Sequence, residues 1–175
     1  ISERALREIY LRGFENAVKK GGAKSVMTTY GQVNGVWTAG NYDLVTGILR
    51  DDWGFDGFTM TDWWANINRR GKAPDKSDFA AMAMAQNDVY MVTADGAACN
   101  DNTLDSLKSG ELTRGELQRN AMNILRFLTT THAMTVPLTQ ATLIPRISSS
   151  TISTRISPLI SLGSPLKRAA ATRSV

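Results

Sequence analysis

Several kinds of chemistry have almost no residues to work with in this sequence. Cys99 is the only cysteine, so no disulfide can form within the chain and no cysteine-rich metal site can be built. His132 is the only histidine, which argues against a histidine-based zinc centre or a Ser-His-Asp triad within this chain. No run of about 18 apolar residues occurs, so no helical segment is suited to spanning a membrane. At 175 residues the chain is also too short for a complete α/β barrel, which needs roughly 250. A starting methionine is missing as well. Ile1 opens directly onto a charged helical pattern, which reads as a chain whose true beginning is absent, so the lack of a leader says nothing about compartment.

Acidic residues are missing from one region. Residues 135–175 hold Arg146, Arg155, Lys167, Arg168 and Arg173 and no acid, leaving 15 basic against 16 acidic residues in 1–134. The net charge of +4 therefore belongs to the tail and does not describe a basic face on the rest. Five scattered basic residues without interleaved aromatics would bind nucleic acid only loosely and lose most affinity with salt. Serine and threonine dominate this stretch, and neither helical nor strand periodicity is sustained. It reads either as a disordered basic tail or as translation in a shifted frame. The division expected is thus 1–134 and 135–175.

What is present before residue 135 alternates. Ala5, Ile9, Phe14, Ala17 and Val18, widened by Leu6 and Tyr10, predict an amphipathic helix with one buried face, stopped by Gly21 and Gly22. A strand follows over about 25–29, with Tyr30 at its end. Asn41 is placed to cap a second helix whose apolar face is Leu44, Val45, Ile48 and Leu49, and Gly54 ends it. Residues 58–61 form a strand too short for a helix. "KSDFAAMAMAQ" predicts a third helix and residues 89–92 a third strand. A short helix over "NTLDSLKSG" precedes a longer one opened by a Thr113/Glu116 capping box, with Ile124, Leu125 and Leu128 as its apolar face. Strands separated by helices require crossover connections, so the sheet is expected to be parallel.

Asp62 is the residue that calls for explanation. It stands where the 58–61 strand stops and is followed by Trp63 and Trp64. An aspartate there is a turn former or N-cap on one reading. On the other, a carboxylate beside indole rings equips a sugar site, because indole faces stack on the C–H faces of pyranoses. In a parallel barrel the βα loops converge at the C-terminal ends of strands, so Tyr30 and Asp62 would share one pole, with Met27 three residues before Tyr30. Tyr30 can equally cap a strand, and Met27 can be core filler. The other acids fall in helices, caps and turns. Asp88 precedes a strand, at the pole away from Asp62, while Asp95 and Asp101 follow the third strand in a loop without calcium-binding spacing.

The segments "VMTTYGQVNG", "NYDLVTGILRDDWGFDGFTMTDWWA", "AQNDVYMV" and "SGELTRGELQRNAMNILRF" together resemble the N-terminal catalytic domain of glycoside hydrolase family 3, the β-glucosidase-like enzymes. The Gly-Phe-x-Gly-Phe-x-Met-[Ser/Thr]-Asp-Trp run is the specific part. The resemblance implies a partial (β/α)8 TIM-like barrel made of its later βα units. It also implies that Asp62 is the nucleophile of a retaining mechanism, with Met27, Tyr30 and Trp63 around the first sugar. No cofactor is implied, and the partner implied is a β-glucoside-like carbohydrate. Two positions depart from the pattern: Gly31 stands where family members usually carry Asn, and Gln86 where they usually carry Gly. The family's Lys-His pair, its sugar-binding Arg and Asp, and its general acid/base have no counterpart here. The competing expectation is therefore a non-catalytic fragment or carbohydrate-binding remnant. An incomplete barrel also leaves open strand edges and uncovered helix faces, which predicts self-association.

Overall fold

The computed structural model describes residues 1–92 and 100–134. The 135–175 tail, and Asp95 with it, lie outside the described residues. The chain opens with α1 (Glu3–Ala5), widens into i→i+5 turns over Leu6–Tyr10 and continues as α2 (Arg12–Lys19). Strand β1 (Ser25–Met27) follows, then a hairpin of β2 (Gln32–Val33) and β3 (Val36–Trp37). A wide-turned helix over Asp43–Asp52 leads to β4 (Phe58–Met60). Helices α3 (Phe79–Met84), α4 (Thr103–Ser109) and α5 (Arg114–Thr129) complete the described part.

β1 and β4 pair in parallel, with Val26 level with Thr59 and Met27 level with Met60, and Val89 extends the sheet by a parallel bridge to Met60. The parallel expectation holds, although the third strand shrinks to that bridge. Gly57 admits the pairing: a Cβ there would run into the Lys24 carbonyl, which receives the Phe58 N–H at 3.1 Å. Asn41 caps as expected, its side chain accepting from the Leu44 N–H at 3.1 Å, and Gly54 has φ +71° where the helix stops. The helix it caps is nevertheless wound wider than an α-helix. The capping box of Thr113 and Glu116 is formed.

The β2–β3 hairpin is absent from the expectations, although Asn34-Gly35 between two valines is its short-range signal. Both residues take positive φ, +50° and +84°, as the tight turn demands.

Three clusters make the core: Ile67, Phe79, Met82 and Tyr90 with neighbouring alanines; Ala80, Ala83, Leu112 and Leu117; and Val45, Leu49 and Phe55 with Val18, Val26 and Trp53 against them. Two predicted apolar faces are not buried. Ile9, Tyr10 and Phe14 are all more than half exposed, leaving Leu6 as the buried residue of the first helix. In α5, Leu125 and Leu128 are exposed while Leu117, Asn120 and Asn123 turn inward.

Asn120 donates to the Ala83 carbonyl at 3.0 Å, and Asn123 turns inward onto a buried ion pair. Arg50 donates to Asp88 at 2.7 Å, and the Asp88 side chain is completely inaccessible to solvent. The Thr59 N–H (2.9 Å) and Asn123 Nδ2 (2.9 Å) also donate to this carboxylate, and a second Arg50 nitrogen reaches the Gly57 carbonyl at 2.9 Å. Burial pushes the Asp88 carboxyl up from its ordinary range and the Arg50 guanidinium down, against their mutual attraction. Gln86 closes this cluster from the end of α3. Its backbone is left-handed at φ +59°, its carbonyl accepts from Arg50 and Thr59, and its amide donates to Thr46 Oγ1 at 3.1 Å. A glycine would hold that φ without strain, and glutamine instead supplies a side chain to the cluster.

Candidate functional site

At the other end of the strands the side chains open to solvent. Thr61, fully buried, anchors the end of β4: its N–H donates to the Val89 carbonyl at 2.9 Å, and its hydroxyl accepts from the Met91 N–H at 2.9 Å. The next four residues form a tight turn. Trp64 takes φ +56°, a conformation rarely held by a bulky residue, and its N–H is fixed on the Met91 carbonyl at 3.1 Å. Tyr90 holds the end of the turn by donating to the Ala65 carbonyl at 3.0 Å.

This turn presents Asp62. Its Oδ1 accepts from the Trp63 N–H at 2.8 Å. From the loop after β1, the Tyr30 hydroxyl donates to the Trp63 carbonyl at 2.6 Å. Both ends of the Trp63 residue are thus engaged, one by the carboxylate and one by the phenol. Loss of solvent around Tyr30, then hydrogen bonding with Asp62 and its nearby charge, hold the phenol above its usual range, so it stays a proton donor beside the carboxylate. Trp63 and Trp64 are 46% and 39% exposed, leaving indole surface available for stacking.

Of the residues expected at the site, Asp62, Tyr30 and Trp63 are therefore brought together. Met27 sits at the end of β1, level with Met60 and 46% exposed. It shares the pole. Asp88 lies in the buried pair already described, and Asp101 accepts from the Thr103 N–H at 3.0 Å at the start of α4. Thr38, overlooked in the sequence, lies behind the site: its hydroxyl and the Thr29 peptide are doubly hydrogen bonded. Nothing in its local pattern marked it, because its partner is nine residues earlier.

The described part is thus an α/β protein in which a parallel strand ends at an aspartate with a phenol and indoles beside it. The profile of the glycosyl hydrolase family 3 N terminal domain matches residues 1–127, and the chain belongs to that family. It is 71% identical over 133 residues to a β-glucosidase of Ruminococcus albus, covering 76% of this chain and 14% of that protein. An exo-α-(1→6)-L-arabinopyranosidase of Bifidobacterium longum is 35% identical over 133 residues, with 76% of this chain and 16% of the relative covered. Among solved structures, a β-glucosidase from Paenibacillus barengoltzii superposes with a TM-score of 0.73 at 56% identity, over 78% of this chain and 15% of the other. β-Glucosidase 3B of Thermotoga neapolitana, solved with glucose, gives 0.63 at 35% identity, over 77% and 18%. The chain thus spans about one seventh of the first of these relatives.

Proposed function

We propose that this chain contributes the later βα units of a family 3 glycosidase barrel, over residues 1–134, and that the parent protein hydrolyses β-linked glucosides with retention. Asp62 is the nucleophile in this reading. The observation that carries it is the placement of the Asp62 carboxylate, held by one backbone N–H at a strand end, next to a protonated phenol and two exposed indoles. The ionised carboxylate attacks the anomeric carbon, the glycosidic bond breaks, and the departing oxygen takes a proton from a second carboxyl group roughly 5 Å away. Water, deprotonated by that same group, then releases the sugar and restores Asp62. Tyr30, protonated throughout, steadies the turn that bears the nucleophile, while Trp63 and Met27 flank the sugar. The second carboxyl group is assigned to no residue of this chain.

An aryl glucoside with a dinitrophenolate leaving group dispenses with the proton donor. The expected result is a burst of phenolate that Asp62→Asn abolishes. A folded chain giving no burst supports the second reading, a carbohydrate-binding remnant, which the unassigned acid favours.

A further inference from the structure

We infer that Thr38 is a positioning residue for the Asp62 site, closing a hydrogen-bonded clasp on the Thr29 peptide that fixes where Tyr30 stands. Its catalytic meaning rests on the role proposed for Asp62. The last ladder bond between β1 and β4 runs from the Thr28 N–H to the Met60 carbonyl at 2.8 Å. Past it, Tyr30 has no strand partner, and its side chain is 53% exposed, so packing alone does not hold it. The clasp supplies the restraint. Thr38 Oγ1 accepts from the Thr29 N–H at 3.0 Å and donates to the Thr29 carbonyl at 2.7 Å. The Thr38 N–H donates to the Gly31 carbonyl at 3.1 Å, and the Gly31 N–H returns to Thr29 Oγ1 at 3.0 Å.

Residues 29–31 are therefore bound on both sides of Tyr30 to one buried threonine, which is 7% exposed. That threonine is itself anchored: the adjoining Trp37 N–H donates to Asn68 Oδ1 at 2.7 Å, and Asn68 Nδ2 donates to the Gly35 and Lys72 carbonyls, each at 3.1 Å. The restraint then passes through the Tyr30 hydroxyl to the Trp63 carbonyl, and from the Trp63 N–H to Asp62. Valine matches threonine in shape but has no hydroxyl, so it would leave both groups of the Thr29 peptide without their partner. Serine keeps the clasp.

The test uses the full 175-residue chain with two readouts: the titration midpoint of Tyr30, followed by carbon NMR of labelled tyrosine, and the rate at which 2-deoxy-2-fluoroglucosyl fluoride labels Asp62, followed by mass. Thr38→Val is expected to bring the Tyr30 midpoint back toward about 10 and to slow labelling about tenfold, a change of about 1.4 kcal/mol in barrier. Thr38→Ser should retain both values. In a Tyr30→Phe background Thr38→Val should slow labelling no further, because the two residues act in series. The inference is overturned if Thr38→Val lowers the melting temperature while leaving the Tyr30 midpoint unchanged, or if it slows labelling equally with and without the phenol. Should Thr38→Val not fold, Thr38→Cys keeps the volume with a weaker donor and is expected to shift both readouts in the same direction. If the unsubstituted chain is never labelled, the glycosidase reading of this chain fails, and the Tyr30 midpoint in the Val and Ser variants still decides the clasp.

Discussion

Two aspartates at opposite ends of one short parallel sheet live in opposite surroundings. Asp88 has lost all contact with water and is held by a guanidinium, a backbone N–H and an asparagine amide. Asp62 is partly open, and its one backbone donor within hydrogen-bond distance is the Trp63 N–H. A buried carboxylate with its lone pairs occupied has nothing left for a substrate, and its removal strands a charge. A partly exposed carboxylate that keeps unoccupied lone pairs is free to meet a ligand. The comparison separates residues that specify the fold from residues that the fold offers to chemistry.

The largest effect expected is at the open pole. Asp62→Asn should lower release from an activated aryl glucoside by roughly a thousandfold or more, with little change in melting temperature; a variant that unfolds would put Asp62 on the structural side with Asp88. At the buried pole the balance reverses. Asp88→Ala leaves Arg50 buried and unpaired and should cost about 3–5 kcal/mol in urea unfolding. Replacing both partners, Arg50→Met with Asp88→Leu, should cost clearly less than Asp88→Ala alone, since no charge is then left unpaired.

A smaller effect tests the left-handed residue in the same cluster. Gln86→Gly should be more stable than Gln86→Ala by about 1 kcal/mol, because neither keeps the bond to Thr46 and only glycine is unstrained at φ +59°. Equal stabilities would show that the strain is relieved elsewhere. The smallest effect concerns an exposed acid. The Ser77 hydroxyl and N–H hold Asp75 below the usual carboxylate range. A depressed folded value adds stability above the unfolded value, about pH 4, and this is lost as pH falls through the folded value. Ser77→Ala should therefore raise the Asp75 midpoint and cost a little stability at pH 7, a difference that disappears as pH falls through the folded value, so that the acid-induced fall is shallower.

The order of helices and strands was legible because each carried its own period, cap or stop. Asn41, Gly54 and the Thr113/Glu116 box act locally, within a few residues of themselves. Asp62 was legible for the same reason, as part of a contiguous run. The turn at Asn34-Gly35 was equally written into the chain and went unread. Other features had no local signature. Ile9, Tyr10 and Phe14 repeat as a buried stripe would, but a stripe does not say whether another element covers it. Asn123 faces inward onto the carboxylate of the buried ion pair and Asn120 onto the Ala83 carbonyl, and no helical period encodes those demands.

By itself the sequence determined the family run around Asp62, the helix ends, the parallel order of the strands and the absence of disulfide and histidine chemistry. Tertiary structure alone decided which carboxylate is sealed and which is open, that the Tyr30 hydroxyl donates to the Trp63 carbonyl, and that Thr38 holds the loop bearing it. Periods and caps depend on neighbours in the chain, whereas burial and hydrogen-bond partnership depend on what the fold brings from far away.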